Sequence, residues 1–96
     1  MFIVSITYTS ALERIDQFIP AHIEFLDEQY RQGHFLLSGP KVPRTGGFIL
    51  ATVEGRSQLD EILAQDPFRR ESLADYEVME IAPTRSSQSL AFLVGA

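Results

Sequence analysis

Residues 2–9 alternate in the two-residue period of a β-strand, with Phe2, Val4, Ile6 and Tyr8 on one face and Ile3, Ser5, Thr7 and Thr9 on the other. The period then changes. Ser10, with Glu13 three positions on, reads as a capping box that opens a short helical segment over 11–18. Pro20 ends that segment and stands in the first turn of a longer helix over 20–33, where its missing N–H is no loss. Ile19, Ile23, Leu26 and Tyr30 recur at helical spacing and predict the buried stripe. Glu24, Asp27, Glu28 and Arg31 lie on the wet side, and Gly33 is placed for a left-handed C-terminal cap.

A second strand is expected over 34–42, with Phe35 and Leu37 opposite Leu36 and Ser38, and Gly39-Pro40 bending or interrupting it. A loop over 43–47 leads to a third strand over 48–54. That strand is apolar on both faces, Phe48 and Leu50 against Ile49, Ala51 and Val53. A second helix begins at Arg56 or Ser57 and carries Leu59, Ile62 and Leu63. It stops at Asp66-Pro67-Phe68, because the residue before a proline is pushed out of the helical region. One further turn over 68–73 precedes the fourth strand, 74–82, in which Tyr76 and Val78 oppose Met79 and Ile81, and Pro83 stops it. Residues 84–96 are a tail, polar first and apolar from Leu90 to Val94, expected to dock on its own domain (1–83) or on a partner subunit.

Strand, helix, strand, strand, helix, strand is the order of the ferredoxin-like α+β fold: an antiparallel four-stranded sheet with both helices on one face. Two helices cover one side of four strands, yet strands one, three and four carry apolar residues on both. Exposed apolar surface costs about 25 cal/mol per Å². The simple remedy is a second copy, so a homodimer with sheets packed face to face as a barrel is expected.

The totals narrow the function. The chain has 96 residues, 45% hydrophobic and 22% charged, which suits one globular domain. A net charge of -5 argues against nucleic acid, because no basic surface is available to displace phosphate counterions. No apolar run approaches the roughly 20 residues of a membrane span. The opening residues lack the charged prelude of a secretory signal, and there is no cysteine for a disulfide, a thiolate nucleophile or a thiolate metal site. The cytoplasm is the default location.

His22 and Asp66 are the candidate chemistry. In this fold the two helices are neighbours, so a carboxylate after the second can accept a hydrogen bond from an imidazole on the first. That would fix the tautomer and leave the other nitrogen free as a base. The bland reading is that Asp-Pro is a turn and His22 an edge residue. Ser38-Gly39-Pro40 could set a hydroxyl and a closely approached backbone beside a ligand, or be only a bulge. His34 could join His22 on a metal, but no matched carboxylate pattern supports it and no metal is expected. Arg44, Arg69 and Arg70 could hold an anion, although most such arginines are simply solvated. There is no G-x-S-x-G elbow, Gly46-Gly47 lacks the lysine of a phosphate loop, and Glu77 and Glu80 fall on opposite strand faces.

Ala21-His22-Ile23, Gly33 with Ser38-Gly39-Pro40, Gly47-Phe48 and Asp66-Pro67-Phe68 together resemble the YciI-like (YCII-related domain) family, from residue 1 to about residue 83. The resemblance implies the dimeric α+β barrel superfamily, and it maps that family's characteristic histidine and aspartate onto His22 and Asp66. Reactions of the family and its barrel relatives include dehydrochlorination of chlorinated hydroxyquinols, muconolactone isomerisation and cofactor-free oxygenation of aromatics. The segment between Pro40 and Gly47 is short against the family pattern, which reduces the rim of any pocket. The expectation is a lyase or isomerase that needs no cofactor and acts on a small cyclic molecule. His22 would be general acid/base, Asp66 its orienting partner, and Ser38, Gly39 and Pro40 the substrate lining. The alternatives are a non-catalytic small-ligand-binding dimer and a haem-binding oxygenase of the same barrel type, which would need an axial ligand in a large apolar pocket.

Overall fold

A computed structural model describes residues 1–95. Strands β1 (Phe2–Tyr8), β2 (Phe35–Pro40), β3 (Gly46–Ala51) and β4 (Ala74–Glu80) form one antiparallel sheet in the order β2-β3-β1-β4. Helices α1 (Leu12–Gln17), α2 (Ile19–Arg31), α3 (Arg56–Leu63) and α4 (Pro67–Arg70) cover one face, and a 3-10 segment, Gln88–Leu93, follows β4. This is the ferredoxin-like α+β fold. No described helix is long and apolar enough to cross a membrane.

The core lies between β1, one of the two inner strands, and the helices. Phe2, Val4 and Ile6 are buried with Ile15, Phe25, Leu59 and Phe68. Gly46 is fixed by close approach: a Cβ there would stand 1.8 Å from the Ile6 carbonyl oxygen, so no larger residue fits against β1. At the end of α2, Gly33 takes φ +79°, the left-handed conformation that a Cβ disfavours.

Four local expectations are corrected. Helix α1 is capped by Ala11, one position after Ser10, and no side chain bonds its first turn, so the Ser10/Glu13 box does not form. The fully buried residues of α2 are Phe25 and Gln29; Ile19 and Leu26 of the predicted stripe are partly buried against the core, whereas Ile23 is 49% exposed and Tyr30 is exposed too. A bulge between Phe35 and Leu37 inserts a residue into β2, which turns Phe35 inward and Leu37 outward and puts Ser38 on the same face as Ile49. Strand β3 begins at Gly46 and ends at Ala51, earlier at both ends than the apolar run implied.

The sheet face away from the helices has a distinct composition. Leu37, Leu50, Ile3 and Met79 are cross-strand partners in one row across all four strands, with Leu37 51% and Met79 60% exposed. In the tail, Leu93 is buried while Leu90, Phe92 and Val94 are exposed. Ala96, the last residue of the tail expected to dock, lies outside the described residues.

Candidate functional site

Three consecutive residues between α3 and β4 build the floor of the site. Pro67 opens α4 and holds Asp66 in an extended conformation, so Asp66 caps that helix: its Oδ1 accepts from the Phe68 backbone N–H at 3.1 Å. Phe68 then turns inward and is almost fully buried. Asp66 itself has 0% exposure, an expensive place for a carboxylate unless donors surround it.

Donors do surround it. His22, on α2, presents Nδ1 to Asp66 Oδ1 at 2.9 Å, and the Tyr76 hydroxyl of β4 donates to Oδ2 at 2.5 Å. No buried side-chain nitrogen or oxygen among the described residues is left without a partner. Burial first, then the charge of Asp66 and its hydrogen bond, push Tyr76 well above the usual tyrosine range, so its hydroxyl stays protonated and acts as a donor. A carboxylate only accepts, so the Nδ1 contact requires Nδ1–H. That leaves the lone pair of a neutral ring on Nε2.

The imidazole is held flat as well as tied. Its ring stacks on Phe68 at 4.1 Å between centroids and 12° between planes. The His22 side chain is 14% exposed, and it lines a cavity of about 460 Å³ between α2 and the sheet. Nε2 has no protein partner among the described residues and is not one of the fully buried side-chain nitrogens. The volume lies in the range of small-molecule sites.

The cavity wall explains the apolar stripe of α2. Ile19, Ile23 and Leu26 line it from the helix, while Ile6, Tyr8 and Ile49 line it from the sheet. Ser38, Gly39 and Pro40 lie along its β2 side, and Ser38 Oγ is hydrogen-bonded to the Tyr30 hydroxyl at 2.6 Å. Arg44 and Asp16 also line it and are paired, Arg44 Nη2 donating to Asp16 Oδ1 at 2.6 Å. The expected catalytic pair, His22 and Asp66, and the expected lining residues Ser38, Gly39 and Pro40 therefore lie close together. Four face the cavity, and Asp66 sits behind His22.

His34 is elsewhere: at the far end of α2 its Nδ1 pairs with Gln29 Oε1 at 2.7 Å. Among the described residues no cluster of three or more His, Cys, Asp or Glu is placed to hold a metal. Sequence reasoning missed Tyr76, Phe68 and Tyr30. Strand parity already set Tyr76 and Val78 on one face of β4, and that face is the one turned to Asp66.

The chain thus combines a ferredoxin-like sheet with a part-buried His–Asp pair beside an apolar cavity under its first long helix. Compared with models of protein families, the chain matches the YCII-related domain over residues 1–82, and it belongs to that family. No curated protein matches it. Among solved structures it is similar to the 5-chloro-2-hydroxyhydroquinone dehydrochlorinase of Burkholderia phenoliruptrix, solved in complex with 2,5-dihydroxybenzoquinone. The TM-score is 0.71 at 17% identity, covering 84% of this chain and 93% of that one.

Proposed function

We propose that this chain is a cytoplasmic homodimeric enzyme, a lyase or isomerase that needs no cofactor and moves a proton on a small cyclic organic substrate. The observation that carries the reading is the His22 ring, with Nδ1 committed to a buried carboxylate, Nε2 without a protein partner among the described residues, and the residue itself lining an apolar cavity. Nε2 takes a proton from the bound ring, and the Asp66 carboxylate stabilises the imidazolium that forms. The electron pair released either expels a leaving group, which is elimination, or shifts within the ring before the proton returns at another atom, which is isomerisation. The Ser38 hydroxyl and the Gly39 backbone supply polar contacts to substrate oxygens. Membership of the YCII-related domain family and the similarity to a dehydrochlorinase support an eliminating reaction on an oxygenated ring.

Turnover decides between an enzyme and a binding module. Chloride release from 5-chloro-2-hydroxyhydroquinone and ring-proton migration in small lactones are the assays. Positioned proton transfer contributes about 100- to 10,000-fold, so His22→Ala and Asp66→Asn should each lose activity on that scale while still binding the ring. Full turnover in His22→Ala would remove the assignment, and binding with no turnover in the wild type would leave a non-catalytic ligand-binding dimer.

A further inference from the structure

We infer that the ligand of this cavity is a small cyclic acid, whose carboxylate or phenolate oxygen is read by Arg44 at the cavity mouth. The inference rests on the proposed site and names the class of molecule it takes. The lining residues grade from floor to mouth: Ile6, Ile49 and Phe68 are almost fully buried, whereas Arg44 and Asp16 are exposed. Arg44 is the one permanently cationic side chain of the lining. The net charge of -5 repels an organic anion at long range, so selecting one requires a cation fixed locally.

Arg44 is fixed. Its guanidinium is held by Asp16 on α1 and lies over the Tyr8 ring at 5.8 Å, and these contacts do not use up its five N–H donors. A guanidinium with donors to spare, in a planar fork, matches a carboxylate bidentately. Asp16 presents the same oxyanion chemistry from the protein itself. The pair it makes is exposed on both sides and therefore weak, so a ligand oxyanion can take its place. With the acidic group on Arg44, the apolar body of the ligand fills the space bounded by Ile19, Ile23 and Leu26, and the ring reaches toward His22.

The test is binding without turnover, followed by NMR titration of the full-length chain with benzoate, 4-nitrophenolate and neutral benzamide. Benzoate or 4-nitrophenolate should bind at least ten times more tightly than benzamide, and the stronger of the two identifies the oxyanion. Arg44→Gln should abolish that preference, and Asp16→Asn should strengthen the anion several-fold by removing its competitor. Benzamide binding as tightly as both anions, a preference that survives Arg44→Gln, or an anion weakened by Asp16→Asn would overturn the inference. Failure here leaves the His22–Asp66 pair untouched, whereas an inactive pair would leave the anion preference in place.

Discussion

Asp66 has no exposed surface, yet donors from three elements reach its carboxylate: His22 from α2, the Phe68 N–H from α4 and Tyr76 from β4. Removing the Tyr76 hydroxyl strands Oδ2, a loss of about 1–3 kcal/mol for a buried acceptor. Tyr76→Phe should therefore unfold at lower urea at neutral pH. The same residue fixes a pH dependence. Its folded-state value lies above the ordinary 10.0, so from about pH 10 upward the unfolded chain releases this proton and the folded chain keeps it. The contribution is whole below pH 10, and above it stability falls by about 1.4 kcal/mol per pH unit. Urea midpoints between pH 9 and 11.5 should show that loss in the wild type and a correspondingly shallower fall in Tyr76→Phe. Equal slopes would mean that Tyr76 ionises as freely in the fold as out of it.

At the scale of elements, what the sequence conveyed depended on how local the cause was. Strand parity in β1 and β4, the Gly33 cap and the Asp66-Pro67 break rest on neighbours in the chain, and they were legible. The β2 face was not, because a bulge is set by pairing with β3 and moves every later residue to the other side. Helix α2 misled for a different reason. Ile19, Ile23 and Leu26 are spaced as a core stripe and line a cavity; Ile19 and Leu26 also pack on the core, while the fully buried positions are Phe25 and the polar Gln29. An apolar stripe marks a surface removed from water, and a ligand pocket satisfies it as well as a sheet does. The pairing of His22 with Asp66 was foreseeable from helix adjacency, whereas the third donor, Tyr76, comes from a strand and appears only once the sheet is assembled.

On one face of the sheet the Leu37–Leu50–Ile3–Met79 row runs across all four strands, and among the described residues Leu37 and Met79 of that row are exposed. Packing that face on its own copy by a two-fold axis is the symmetric way to bury it. Sedimentation at micromolar concentration should give a dimer, and Leu37→Asp with Met79→Asp should give a folded monomer. A wild-type monomer would contradict the assembly. Two nitrogen atoms decide the chemistry, and ¹⁵N NMR of the His22 ring measures them directly. The proton should lie on Nδ1, with Nε2 unprotonated in the neutral ring, and the Nε2 resonance should move when a ring ligand enters the cavity. A proton on Nε2 in the neutral ring, or a ring indifferent to the ligand, would contradict that chemistry.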